Sequence, residues 1–102
     1  MNLIQEEWVE QLEADDNAVI LDVRSEEEVE QGYIPNAINI DIRKGQDFID
    51  EIQKLDKSKN YYVYCRSGAR SASACSVMNQ YGIENTYNLL GGILEWEGEI
   101  ID

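Results

Sequence analysis

Seven consecutive residues, Cys65-Arg66-Ser67-Gly68-Ala69-Arg70-Ser71, hold the residue types from which a cysteine nucleophile is built. They follow Tyr61-Tyr62-Val63-Tyr64, an aromatic and β-branched run that reads as a strand. A helical pattern starts directly after them. A strand that delivers a cysteine into a tight loop, with a helix beginning at once, turns successive backbone N–H groups inward. It also adds the positive end of a helix dipole. Both favour a thiolate over a thiol, and the thiolate is the nucleophilic form. Arg66 and Arg70 add positive charge nearby. A lone cysteine after a strand is most simply a small buried hydrophobe. Such a residue has no use for two arginines and a glycine within five residues. Gly68 is expected to supply a backbone angle that a Cβ would forbid.

The rest of the composition narrows the chemistry. The 102 residues include no histidine, which removes Cys-His and Ser-His catalysis and every His-based metal site. Two cysteines, Cys65 and Cys75, are too few for a Cys-only zinc site or a disulfide framework. No metal and no organic cofactor is expected. Cys75 falls on the inner face of the helix after the loop and reads as a core residue. Both thiols are expected to be reduced, as in a cytoplasmic protein. The formal net charge of −13 repels nucleic acid and anionic lipid, so neither is an expected partner. No apolar run approaches the roughly 18 residues of a membrane span. The acidic start, Met1 to Glu7, has no basic segment leading an apolar one, which argues against a secretory signal.

The elements that must position Cys65 alternate along the chain. Glu6 to Glu13 carries Trp8, Val9 and Leu12 at helical spacing. Ala18 to Leu21 is a short apolar run and reads as a buried strand. Ser25 followed by Glu26, Glu27 and Glu28 predicts a capping box and a solvated helix start. Ala37 to Ile40 reads as a strand. Asp47 to Leu55 puts Phe48, Ile49, Ile52 and Leu55 on one helical stripe. Ala69 to Tyr81 is a helix ended by Gly82. Asn85 to Leu89 is a last strand, and Gly91-Gly92 opens a short helix bearing Ile93 and Trp96. With 43% apolar residues and no linker, residues 1–102 are expected to form one α/β domain. Its sheet is expected to be mostly parallel, with helices on both faces. Ligands in such sheets bind beyond the carboxyl ends of the strands. Those ends are Asp22-Val23-Arg24, Cys65 and Gly91-Gly92.

The loop from Cys65 to Ser71 resembles the active-site loop of rhodanese domains. Two further segments carry the likeness. Leu21-Asp22-Val23-Arg24, then Glu28 and Gly32-Tyr33-Ile34-Pro35-Asn36-Ala37-Ile38-Asn39-Ile40, is similar to that family's first signature. Leu90-Gly91-Gly92-Ile93-Leu94-Glu95-Trp96 is similar to its closing one. Tyr33 stands where the family usually has His, and Asn36 where it often has Gly. The resemblance implies a three-layer rhodanese-like fold and sulfur transfer in two steps. Cys65 would take the sulfane sulfur of a donor such as thiosulfate and hold it as a persulfide. The N–H groups of Arg66, Ser67, Gly68, Ala69 and Arg70 would stabilise it. A thiol, protein thiols included, or cyanide would then accept the sulfur. Arg66 and Arg70 would hold the anionic donor. Asp22 and Arg24 would either contact substrate or form a pair that only supports the structure. Two other readings stay open: a sulfur carrier fed by a partner protein, and a phosphatase or arsenate reductase of related fold. Against the latter, only four residues separate Cys65 from Arg70. That is one fewer than in those enzymes, and it contracts the cradle toward a single sulfur atom.

Overall fold

The computed structural model describes all 102 residues. Strand β4 (Asn60–Tyr64) is buried along almost its whole length, and its side chains alternate between two cores. Tyr61 and Val63, with Cys65 beyond them, face one side, while Tyr62 and Tyr64 face the other. Such a strand needs cover on both faces, and the chain supplies it.

Five strands form one parallel sheet in the order β1-β5-β4-β2-β3. They are β1 (Asn2–Leu3), β2 (Ala18–Asp22), β3 (Ile38–Asn39), β4 and β5 (Thr86–Leu89). Helices α3 (Gln46–Gln53) and α4 (Ala69–Gln80) cover one face. There Phe48 and Ile52 of α3 and Ala74, Cys75 and Met78 of α4 pack with Leu21, Val23 and Val63. Helix α1 (Gln5–Glu13) and the segment around Trp96 cover the other. Trp8 is fully buried there, edge-on to Tyr62 and to Trp96. Helix α2 (Glu26–Glu30) buries none of its side chains. The capping box is present: Ser25 Oγ accepts from the Glu28 N–H while Glu28 Oε1 accepts from the Ser25 N–H. Gly82, at φ +89°, follows the last turn of α4.

Four elements differ from the sequence reading, one of them an unexpected 3₁₀ turn at Ile42–Lys44. Strand β1 was not anticipated, because two residues carry no periodicity. It is held to β5 by the Asn88 N–H donating to Met1 O at 2.8 Å and the Leu90 N–H donating to Leu3 O at 3.0 Å. Strand β3 is two residues long rather than the four of Ala37–Ile40, since only Ile38 and Asn39 find register with β2. The helix after Gly91-Gly92 is a single 3₁₀ turn, Ile93–Glu95. The sheet itself is wholly parallel; the one antiparallel bridge, Tyr33 with Ile101, lies outside it. Asn36 sits at φ +72°, which explains how it replaces glycine in that turn: Asn tolerates the left-handed region better than most residues.

Candidate active site

Cys65 leaves β4 at the carboxyl edge of the sheet and is only 1% exposed. Gly68, at φ +102°, turns the chain so that its own N–H donates to Cys65 Sγ at 3.1 Å. A Cβ there would come within 3.3 Å of the Leu89 carbonyl and the Gly91 nitrogen. Helix α4 starts at the next residue, aiming its positive end at the sulfur. The Ser71 hydroxyl, one turn in, lies 3.3 Å from Sγ. Burial works to raise the Cys65 pKa. Hydrogen bonds from the Ser71 hydroxyl and from the N–H groups of Ser71, Gly68 and Ser67 outweigh it, so the thiol sits below its ordinary value.

The Gly91-Gly92 segment closes the loop from behind. Ile93 N–H donates to Cys65 O and Leu94 N–H to Arg66 O, both at 3.0 Å. Gly92 has φ +59°, and a Cβ on it would run into the Arg66 carbonyl and stand 2.7 Å from Cys65 O. Only glycine fits this approach. The three segments named from sequence therefore do meet: β2 also joins, with Val23 N–H donating to Tyr64 O at 3.1 Å.

The charged residues divide into paired and unpaired. Arg70 is locked to Glu28 of α2 by two parallel hydrogen bonds of 2.8 Å. Glu28 is thus not the solvated helix-start residue expected from the Glu26-Glu27-Glu28 run. The Arg70 pair pulls its carboxyl down to about 2. Asp22 and Arg24 form a buried ion pair at 2.7 Å. Arg24 also donates to the carbonyls of Gly32 and Glu28, tying β2 to α2 and the turn beyond it. Its guanidinium lies 5.6 Å from the centroid of the Tyr64 ring. These bonds match the structural role considered for the pair. Arg66 makes no ion pair and is exposed. It lines a shallow cleft of about 510 Å³ together with Arg24, Ile93, Leu94 and Ile100. Ser67 and Ala69 are exposed, and the Ser67 N–H is among the groups that favour the Cys65 thiolate.

Two polar groups at this site were not picked out from the sequence. In the sequence Ser71 is only the last residue of the loop motif, and Asn88 is one residue of a strand pattern. It is 1% exposed, accepts from the Ser71 hydroxyl, and donates to Gly68 O at 3.1 Å. An amide within the otherwise apolar and aromatic run Tyr87-Asn88-Leu89 was the available signal, because buried polar groups need partners.

A parallel α/β sheet that hands a buried thiol to a ring of inward N–H groups defines a cysteine-centred domain. Residues 5–99 match the family model described as Rhodanese-like domain, and the chain belongs to that family. Two relatives that span nearly the whole chain carry sulfur-transfer names. The provisionally named sulfurtransferase YtwF of Bacillus subtilis (strain 168) is 43% identical over 90 residues, covering 88% of this chain and 84% of that protein. A sulfurtransferase of Allochromatium vinosum is 38% identical over 97 residues, covering 94% and 88%. Among solved structures, a rhodanese-like domain protein from Staphylococcus aureus superposes with a TM-score of 0.82 at 32% identity, covering 96% and 92%. Sulfur transfer in the general sense is the activity these likenesses support.

Proposed function

We propose that this domain moves sulfane sulfur through a persulfide on Cys65, with no metal or organic cofactor, and that residues 1–102 act as one unit in the cytoplasm. The observation that carries the reading is the thiol itself. It is buried, and loop N–H groups and Ser71 favour its ionised form. In the first half-reaction the Cys65 thiolate attacks the outer sulfur of thiosulfate or a similar donor. A new S–S bond forms, the donor's S–S bond breaks, and sulfite leaves with its electron pair. The negative charge of the persulfide then rests on the outer sulfur. In the second, an acceptor thiolate or cyanide attacks that outer sulfur and the Cys65 thiolate is regenerated. Arg66 provides the positive charge for the anionic donor. Arg70 holds the loop through Glu28, and Asp22 and Arg24 brace the strand end beside it.

The second reading, a carrier loaded by a partner protein, is favoured by one feature. Arg70 is committed to Glu28, which leaves Arg66 alone to attract a dianionic donor. Steady-state thiosulfate:cyanide transfer separates the two readings. Turnover on the order of 1 s⁻¹ or faster is enzyme behaviour. Much slower turnover with a long-lived persulfide marks a carrier. Loading itself is read by mass: thiosulfate treatment should add about 32 Da, one sulfur atom, to the Cys65 peptide. Absence of that adduct, together with hydrolysis of p-nitrophenyl phosphate, would overturn sulfur transfer in favour of phosphatase chemistry.

A further inference from the structure

Ser71 carries one hydroxyl proton and faces two acceptors. Cys65 Sγ lies 3.3 Å from its Oγ, and Asn88 Oδ1 lies within hydrogen-bond distance on another side. All three residues are buried. The Asn88 amide is fixed in direction. A carbonyl only accepts, so the end of the amide facing Gly68 O at 3.1 Å is its NH₂. The same nitrogen donates to Asn2 Oδ1 at 3.0 Å, which anchors it from β1. Asn88 therefore offers oxygen, not nitrogen, to Ser71. The hydroxyl proton can serve Asn88 or the sulfur, but one at a time.

We propose that Asn88 is a positioning residue that holds the Ser71 proton while Cys65 Sγ is uncharged and yields it when Sγ is ionised, and so helps set the pH at which the nucleophile forms. The proposal rests on Cys65 being the nucleophile. With a neutral thiol, S–H donates to Ser71 Oγ and Ser71 O–H donates to Asn88. On ionisation the thiol proton leaves to solvent and the hydroxyl turns to the sulfur. Asn88 Oδ1 is then left without a donor in a buried place, which has a cost. Once a persulfide forms, the charge moves to the outer sulfur, Sγ is uncharged, and the proton returns to Asn88. Ser71 alone favours the thiolate, and Asn88 opposes it through Ser71.

The charged neighbours do not provide the same switch. Asp22 is paired with Arg24 at the end of β2, and Glu28 of α2 with Arg70 of α4. Arg43, which precedes α3, pairs weakly with Glu28 and with Asp41. Tyr64 of β4 is pushed up by burial. Arg66 and Glu95 are exposed, and β5 contributes no charge. The closest partners of Sγ are Gly68 N–H and Ser71 Oγ, with the Ser67 and Ser71 N–H groups beside them, and Arg70 is the charged group that acts on it.

The test measures ionisation, not sulfur transfer, so it stands apart from the proposed function. Iodoacetamide alkylation of Cys65 is followed by peptide mass across pH. Ser71→Ala should raise the apparent thiol pKa by roughly 1 to 2 pH units, and Asn88→Leu should lower it by roughly 0.5 to 1. In the Ser71→Ala background, Asn88→Leu should have almost no effect, because its influence passes through the hydroxyl. An unchanged or raised pKa in Asn88→Leu, or an equal fall in both backgrounds, would overturn the proposal. The unmodified protein gives an independent readout should the Leu variant fail to fold. The Asn88 side-chain amide resonances should titrate with the apparent pKa of Cys65, and that titration should disappear in Ser71→Ala. Asn88 resonances indifferent to Cys65 would equally refute it.

Discussion

Cys65 and Cys75 lie in the same core cluster, and both are free thiols. Cys65 is the less exposed of the two, at 1% against 6%. Yet the thiol of Cys65 is pulled down and that of Cys75 is pushed up, chiefly by burial. Surface exposure therefore does not order the two thiols. Burial penalises both thiolates, and the difference is what each sulfur meets. Cys65 meets the first turn of α4 and its inward N–H groups. Cys75 sits in the second turn, where the helix N–H groups are already bonded within the helix. Ten residues of one chain separate the proposed nucleophile from a packing atom.

The largest expected break in that comparison is Cys65→Ser. Sulfur loading should fall at least about a thousandfold, because a neutral hydroxyl is a poor nucleophile. Cys75→Ser should load within about twofold of the parent, as read by the mass of the persulfide adduct. It should also lose about 1 kcal/mol of stability in urea unfolding. Equal loss of loading in both variants would mean that Cys75 takes part as a resolving thiol.

Gly92→Ala should come next. The new Cβ must push against the Arg66 and Cys65 carbonyls at a positive φ, so loop and fold suffer together. About 2–4 kcal/mol of stability should be lost, with a lower Tm and weaker loading. Gly45→Ala, at φ +58° but with nothing within 4 Å of the added carbon, should cost less and leave loading intact.

The two loop arginines should separate in a smaller way. Arg66→Ala should raise the thiosulfate KM about tenfold, the scale of one charge-assisted contact. Arg70→Ala should raise it comparably by exposing the unpaired Glu28 carboxylate, and adding Glu28→Gln should restore most of the affinity. No rescue by Glu28→Gln would make Arg70 a direct donor ligand.

The mildest effect concerns acid. The Glu28 carboxyl is lowered in the fold from 4.5 to about 2. The unfolded chain then binds more protons between those values, so stability is present above about pH 4.5 and is lost as pH falls toward 2. Glu28→Gln should flatten that part of the stability curve, by on the order of 1–3 kcal/mol after allowance for partial exposure. Equal acid sensitivity in both proteins would locate the effect elsewhere.

Much of this was legible in the sequence. Aromatic and β-branched residues from Tyr61 to Tyr64 fix a buried strand, Ser25 with Glu28 fixes a cap, and Gly68 and Gly82 bracket α4. These are local preferences, set by neighbours three or four residues away. The Cys-Arg-Ser-Gly loop between strand and helix then localises the proposed nucleophile. Pairings over long separations were decided only by the tertiary structure. Arg70 meets Glu28 across 42 positions and Asn88 meets Asn2 across 86. No local preference encodes such contacts. They exist because the parallel sheet sets β5 between β1 and β4 and brings α2 beside the start of α4. The residue types around Cys65 could be read one by one, but which arginine stays unpaired, and where the single Ser71 proton goes, follow from the sheet order.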